Sequence, residues 1–330
     1  MNVVEALRLP GIEESLSRVE LTLREATTGL DPFLSEVASH LVRAGGKRLR
    51  PALVVASAQA CSGMGGVSDD VLQGAVAVEL VHLGSLYHDD VMDEAPSRRG
   101  VESANARWGN LVAILAGDFL LARASEIAAS LGTEVAALLA RTIGQLCEGE
   151  VGQLRYAFDT NRSEDAYLAS IGGKTASLMS TAARVGGITA GAERHIIEAL
   201  TDFGYSIGMA FQIWDDVRDL VSTPDDLGKP AGHDMVEGTY TLPVLRAMQV
   251  PGIGEDLTAL LGVPLDPPAR DKARDLVLST EAISSSIATG RTWADRAADA
   301  LEPLRANSAA PAHIDTLAAV GHRLLDELCA

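Results

Sequence analysis

Two copies of one acidic pattern constrain this chain more than anything else in it: Asp89-Asp90-Val91-Met92-Asp93 and Asp215-Asp216-Val217-Arg218-Asp219. Each follows an apolar, helix-compatible stretch, Ala75 to Tyr87 before the first and Phe203 to Trp214 before the second. On a helix, residues four apart share a face, with Cβ atoms about 5–6 Å apart. Asp89 and Asp93 therefore project together, as do Asp215 and Asp219. Like charges at that spacing destabilise a bare helix, so each pair needs a partner, and the natural one is a hard cation. Magnesium takes oxygen ligands, keeps several waters and usually shares its coordination with substrate phosphates. The bland alternative, a solvated acidic face, fits a single pair better than two copies set beside His, Gln and Trp. Neither copy carries the glycine and distal glutamate of an EF-hand loop.

Composition narrows the classes. The chain has 330 residues and a formal charge of −18. No basic stripe is visible, which argues against nucleic acid as a partner, and the charge disfavours docking to anionic lipid. An anionic ligand would then have to be bridged to this protein by metal ions. Hydrophobic residues make up 47% but aromatics only 4%, so the core is Ala, Leu, Val and Ile, which suits close helix packing. Cys61, Cys147 and Cys329 are odd in number and scattered, with neither a disulfide framework nor zinc spacing, and a reducing, cytoplasmic setting fits. Met1 to Pro10 carries Glu5 and Arg8 and does not read as a signal peptide. No stretch reaches the roughly 18 apolar residues of a membrane span.

The periodicity is helical throughout. Ile12, Leu16, Val19 and Leu23 recur at helical spacing, as do Phe33, Val37 and Leu41 after a break at Gly29-Leu30-Asp31-Pro32. Helices are expected over Pro51–Cys61, Asp69–Met92, Asn110–Ser130, Thr133–Phe158, Asp165–Gly186, Glu193–Leu220 and Thr241–Met248. Glu94–Ala104 reads as a polar loop, Val221–Gly238 as a loop, and Pro251–Pro268 as a Pro/Gly-rich connection before two or three last helices. Almost nothing alternates with period two, so the expected fold is all-α, a single large helical bundle over residues 1–330.

Cations stand in unusual places. Lys47 and Arg50 follow Gly45-Gly46, where exposed backbone N–H groups can also face an anion. Arg98-Arg99 lies just past Asp93, Lys174-Thr175 follows Gly172-Gly173, and Lys229 sits in Gly228-Lys229-Pro230. Gly173-Lys174-Thr175 is not a P-loop, because Leu168 stands where that motif needs a glycine. His82 lies seven residues before Asp89, two turns down the same face, while His88 abuts the motif and reads equally well as structural.

As a set, these motifs resemble the trans-isoprenyl diphosphate synthases of the polyprenyl synthetase family. The resemblance rests on Gly45–Pro51, His82–Gly100, Gly117–Ala124, Gly172–Ser177, Phe211–Asp219 and Gly228–Val244, in the family's order. It implies a helical homodimer with a central cavity between facing acidic motifs. It implies that Asp89, Asp93 and Asp215 ligate Mg2+, with Asp90, Asp216 and Asp219 as further ligands or as support behind them. Arg98, Lys174, Thr175, Gln212 and Lys229 would hold an allylic diphosphate; Lys47, Arg50, His82 and Arg99 would hold isopentenyl diphosphate. Thr239-Tyr240 replaces a basic residue common in the family after Glu237-Gly238.

The implied reaction is head-to-tail prenyl transfer, with Asp89, Asp93, Asp215 and Lys174 as its catalytic groups. No side chain reads as a strong general base, which leaves the released diphosphate to accept the proton. A class I terpene cyclase would carry a different second metal motif, and a non-catalytic partner subunit would have lost one. Gly84 and Ser85, one turn before Asp89, are small, and the growing tail is expected to pass them. A helix-interior glycine costs about 1 kcal/mol relative to alanine, so Gly84 asks for a reason, either a close helix crossing or room for a long tail. Small residues here resemble the family's longer-chain members, and a medium- or long-chain all-trans product is expected, with a farnesyl or geranylgeranyl diphosphate synthase as the alternative.

Overall fold

The structure is a computed structural model that describes residues 11–62, 67–222, 231–305 and 311–326. Its helices are α1 Ile12–Ala26, α2 Pro32–Ala38, α3 His40–Arg43, α4 Leu49–Ser62, α5 Asp69–Met92, α6 Ala104–Trp108, α7 Asn110–Ser130, α8 Thr133–Leu154, α9 Glu164–Ile171, α10 Ser177–Thr189, α11 Arg194–Val221, α12 His233–Val236, α13 Leu242–Ala247, α14 Ile253–Leu260, α15 Pro267–Leu278, α16 Ala282–Ala300, α17 Glu302–Arg305 and α18 Pro311–Asp326. The fold class is all-α. A two-residue hairpin, β1 Ser97–Arg98 against β2 Val101–Glu102, is the one sheet among the described residues.

Three stretches read as loops or connections hold regular structure, one of them Val221–Gly238, which contains α12 His233–Val236. Glu94–Ala104 contains that hairpin, and Ala104 opens the short α6. The Pro251–Pro268 connection contains α14. There the Gly and Pro signals are overridden by tertiary burial, since Leu257 is fully buried in the core beside α13 and α15. At several helix starts local chemistry and fold agree. Ser68 caps α5 by accepting from the Val71 N–H, and Asp69 and Asp70 fill the first turn, where negative charge suits the helix dipole. Asp31 and Asp266 cap α2 and α15, each followed by proline in the first turn.

The chain packs into two compact units. The first draws on Met1–Ile143, Leu178–Gly204 and Ala300–Leu317; the second on Gly144–Ser177, Tyr205–Asp299 and Ala318–Ala330. Each contains one acidic motif. In the first unit α5 is apolar all round and buried, with Val71, Val76, Leu80 and Leu83 inside. Burying side chains of this size contributes roughly 1.5–3 kcal/mol each. α5 and α7 meet at a pair of glycines. A Cβ on Gly84 would stand 3.1 Å from the Gly117 carbonyl oxygen, and one on Gly117 would stand 3.1 Å from that of Gly84. The close crossing is therefore what Gly84 provides. Tyr87 is turned into the core, where its hydroxyl donates to the Val37 carbonyl at 2.5 Å and so ties α2 to α5.

The second unit is centred on Tyr167, Met209, Ile213, Tyr240 and Leu245. Between α9 and α10 the helix makes one π-turn, Gly172–Ala176, which the sequence did not announce. Gly173 and Gly149 make this turn possible. A Cβ on Gly149 would fall 2.4 Å from the Lys174 backbone nitrogen, so α8 and the π-turn approach backbone to backbone.

Candidate active site

The first acidic motif forms the last turn of α5. Asp93 caps the helix C-terminus and donates its N–H to the Asp89 carbonyl at 2.8 Å. Its aspartates divide by burial: Asp93 is exposed and Asp89 half-buried, whereas Asp90 is fully buried. Asp90 accepts from Arg98 Nε and Nη2, both at 2.7 Å. Burial raises the Asp90 pKa, and the guanidinium opposes the rise. Its other oxygen, Oδ2, is buried with no hydrogen-bond partner. The β1–β2 hairpin brings Arg98 to this place, its tight turn closed by Arg99 and Gly100, both at positive φ.

The glycine turn before α4 holds the cations. Arg99 donates through Nη1 to the carbonyls of Leu41 and Gly45. Its guanidinium fills the space where Gly46 lacks a side chain, since a Cβ there would lie 2.7 Å from Arg99 Cζ. Arg48 is buried and bridges Glu79 at 2.9 Å and Glu20 at 2.8 Å. Lys47 is exposed beside it, and Arg50 is half-buried with Nε unbonded. His82 lies among these groups. Its pKa is driven well below the ordinary 6.5, by burial first and then by Arg50, Arg99, Arg48 and Arg98. Four guanidiniums around one neutral imidazole form a cationic surround suited to an anion.

The second motif repeats the contrast at its first two aspartates only. Asp215 is exposed, Asp216 and Asp219 buried. Asp216 accepts the Tyr167 hydroxyl at Oδ2, 2.5 Å, and the Gln212 amide nitrogen at Oδ1, 2.8 Å. Burial pushes its pKa up to about 7, against the pull of those two donors. Gln212 Oε1 accepts from the Thr175 hydroxyl at 2.7 Å. Lys174, raised on the π-turn, pairs with Glu150 at 2.6 Å. Asp219 accepts the Gly232 N–H on its carbonyl at 2.8 Å and the Asp234 N–H on Oδ2 at 3.4 Å.

The structure thus brings Asp89, Asp90, Asp93, Lys47, Arg50, His82, Arg98 and Arg99 into one region of the first unit. It brings Lys174, Thr175, Gln212, Asp215, Asp216 and Asp219 into one region of the second. Lys229 lies outside the described residues. Gly84 is occupied by the α7 crossing, so its size does not report room for a tail; Ser85 is half-buried, its Oγ donating to the His82 carbonyl at 2.9 Å. His88 sits 3.2 Å from the Ile114 carbonyl and 3.4 Å from Asp118, a structural place. Four residues escaped the sequence reading: Glu79, Arg48, Tyr167 and Glu150. Glu79 was visible as a lone acid inside an apolar helix; nothing local pairs Tyr167 with a residue 49 positions away.

A hard cation fits the donor set. Asp89, Asp93 and Asp215 offer carboxylates at or near the surface, while Asp216 engages both its oxygens with protein donors and Asp90 engages one. Among the described residues no three His, Cys, Asp or Glu side chains gather into a cage. Magnesium needs none, since it is commonly held by one or two carboxylates plus substrate phosphates.

Comparison with known proteins agrees with this chemistry. The profile of the family described as polyprenyl synthetase matches residues 31–267. The nonaprenyl diphosphate synthase of Mycobacterium tuberculosis is 42% identical over 266 residues, 79% of this chain and 78% of that protein. Heptaprenyl diphosphate synthase component 2 of Bacillus subtilis is 35% identical over 296 residues, 89% and 83% of the two chains. The crystal structure of a polyprenyl synthase from Caulobacter crescentus, complexed with calcium and isoprenyl diphosphate, superposes with TM-score 0.88 at 33% identity, covering 98% of this chain and 97% of that one.

Proposed function

The chain belongs to the polyprenyl synthetase family and is a prenyltransferase, and we propose that it condenses isopentenyl diphosphate with an allylic diphosphate into a medium- or long-chain all-trans polyprenyl diphosphate. The observation that carries the residue assignment is a contrast shared by the first two aspartates of each motif: Asp89 and Asp215 lie nearer the surface, whereas Asp90 and Asp216 are buried on protein donors. Asp89, Asp93 and Asp215 are the magnesium ligands, and Asp219 supports the second motif through its backbone ties. The bound cations supply charge neutralisation that makes the allylic diphosphate a leaving group.

Each protein group then has a defined task. Arg98, Lys174, Thr175, Gln212 and Lys229 orient the allylic diphosphate. Lys47, Arg50 and His82 bind isopentenyl diphosphate, and Arg99 shapes the glycine turn beside them. His82 is neutral at physiological pH, so it can donate one hydrogen bond without repelling the four arginines. The surrounding apolar helices exclude water from the cationic intermediate. With no strong side-chain base among these groups, the departing diphosphate takes the proton. One catalytic domain over residues 1–330 belongs to the same reading, since each compact unit carries one of the two acidic motifs.

Two further assignments belong to the same reading. Leu111, Ile114 and Leu115 present apolar side chains on the surface of α7, with 79%, 39% and 62% exposure. A homodimer would cover them. Cys61 and Cys147 are free thiols, which suits the cytoplasm. Among the described residues no helix is long and apolar enough to cross a membrane.

The test is turnover of radiolabelled isopentenyl diphosphate with geranyl or farnesyl diphosphate, followed by chromatography of the product. Magnesium-dependent formation of chains beyond geranylgeranyl diphosphate is expected. No condensation, or full turnover in excess chelator, would refute the reading; a product ending at farnesyl or geranylgeranyl diphosphate would move the enzyme to the short-chain class.

A further inference from the structure

Tyr167 is 1% exposed and lies on α9, two helical turns before Lys174. Its hydroxyl is one end of a directed chain of hydrogen bonds. It donates to Asp216 Oδ2 at 2.5 Å; Gln212 Nε2 donates to Asp216 Oδ1 at 2.8 Å; Thr175 Oγ donates to Gln212 Oε1 at 2.7 Å. Behind the ring lies Arg162, itself 5% exposed, with its guanidinium 5.6 Å from the ring centroid and Nη1 donating to the Tyr240 carbonyl at 3.3 Å. A buried cation on one face and a buried carboxyl at the hydroxyl make this an electrostatically organised site, more than apolar filling requires.

The chain matters because a glutamine amide is ambiguous. Turned by 180°, it exchanges a donor for an acceptor at nearly no steric cost. Thr175 cannot decide the orientation, because a hydroxyl both donates and accepts. Only the Asp216 carboxylate insists on Nε2. The amide nitrogen carries two N–H groups, and Asp216 uses one, which leaves the other to donate to an anionic oxygen. The orientation of Gln212 therefore depends on Asp216 keeping its own orientation. Asp216 sits 4% exposed, and the second donor that fixes its plane is the Tyr167 hydroxyl.

We infer that Tyr167 is a positioning residue for the allylic diphosphate: it holds the Asp216 carboxylate, which orients the Gln212 amide and so presents its second N–H to the substrate. The inference rests on the prenyl-transfer reading of Gln212 and Thr175. It also assigns Asp216 a role distinct from the exposed aspartate beside it, since both its oxygens serve the protein. Tyr167→Phe removes the hydroxyl and keeps the ring that Arg162 covers.

The experiment is calorimetric binding of inorganic diphosphate and of farnesyl S-thiolodiphosphate, with and without magnesium. The proteins are full-length wild type, Tyr167→Phe, Gln212→Ala and the double variant. Tyr167→Phe is expected to weaken the thiolodiphosphate about tenfold, as for a hydrogen bond to a charged group, and to leave KM for isopentenyl diphosphate unmoved. The double variant should bind no worse than Gln212→Ala alone, because the tyrosine acts through the glutamine. Tyr167→4-aminophenylalanine returns a donor at the same reach and should recover affinity to within about threefold of wild type. Unchanged affinity in folded Tyr167→Phe, additive losses in the double variant, or a 4-aminophenylalanine variant as weak as Gln212→Ala would each overturn the inference. Wild-type protein that binds neither diphosphate would refute prenyl transfer itself, whereas wild-type binding with no Tyr167 effect refutes only this positioning role.

Discussion

Asp90 and Asp216 hold the same place in their two motifs, and the protein treats them differently. Asp90 is met by a guanidinium, Arg98, at two nitrogens. Asp216 is met by two neutral donors, the Tyr167 hydroxyl and the Gln212 amide. A cation compensates a buried carboxylate's lost hydration far better than neutral donors do. The repeated sequence pattern thus hides two electrostatic designs. In the first motif the middle carboxylate aims a charge; in the second it aims a hydrogen-bond donor. What the two share is the contrast between their first two aspartates, with Asp89 and Asp215 nearer the surface and Asp90 and Asp216 buried on protein donors.

The largest effect should come from breaking that shared part. Asp89→Ala and Asp215→Ala are each expected to cut kcat by about 10³-fold, since neutralising charge on the leaving diphosphate lowers the barrier more than any other contribution. Their melting temperatures should change little, because Asp215 is exposed and Asp89 half-buried. Steady-state kinetics beside thermal melting checks both halves. A near-normal kcat in either variant would break the assignment.

The next pair sharpens the contrast. Burial lifts Asp216 from 3.8 to about 7, so its folded pKa lies above its unfolded one. The folded state then holds the proton more tightly, and stability from this group falls as pH rises from about 4 through 7. Asp216→Asn, neutral throughout, should gain on metal-free wild type across that window, by up to roughly 4 kcal/mol at pH 8. Burial raises Asp90 too, but Arg98 opposes the rise, so Asp90→Asn, which strips that guanidinium of its charged partner, should gain less than Asp216→Asn over the same window. Denaturant melts at pH 5 and 8 decide the matter, and an equal gain in both variants would erase the difference.

A third comparison lies within α5, between two adjacent small residues. Gly84→Leu would drive a side chain into the Gly117 backbone and should cost about 1–3 kcal/mol by overpacking. Ser85→Phe should leave stability nearly unchanged and shorten the product, because the metals and diphosphates are untouched. Melting curves and product chromatography separate the two. A Ser85→Phe enzyme making wild-type-length chains would remove Ser85 from the tail path.

The smallest effect is expected at Lys47, exposed beside the glycine turn. Lys47→Ala should raise KM for isopentenyl diphosphate about tenfold, the loss of one charge-assisted contact, with KM for the allylic substrate unmoved.

How much of this was legible follows from the range of each interaction. Long apolar helices were readable to the residue: Asp69–Met92 carries its own cap at Ser68, and Asn110–Ser130 starts just after Gly109. α14 was not, because its place depends on Leu257 reaching a core built from distant segments. The motif aspartates were legible as candidates from spacing alone. Their burial was not, since Arg98 comes to Asp90 on a hairpin and Tyr167 comes to Asp216 from another helix. The π-turn was equally silent, for it arises from a backbone contact between Gly149 and Gly173. Arg48 was hidden for the opposite reason: it stands between Lys47 and Arg50, looks like one more phosphate ligand, and is committed to Glu20 and Glu79.

The division between Asp89, Asp93 and Asp215 on one side and Asp90 and Asp216 on the other is tested most directly by a crystal structure of the enzyme with magnesium and farnesyl S-thiolodiphosphate. Asp89, Asp93 and Asp215 are expected within about 2.1 Å of the metal ions, with Asp90 still on Arg98 and Asp216 still on Tyr167 and Gln212. Direct coordination of a cation by Asp90 or Asp216, with those donors displaced, would contradict the account.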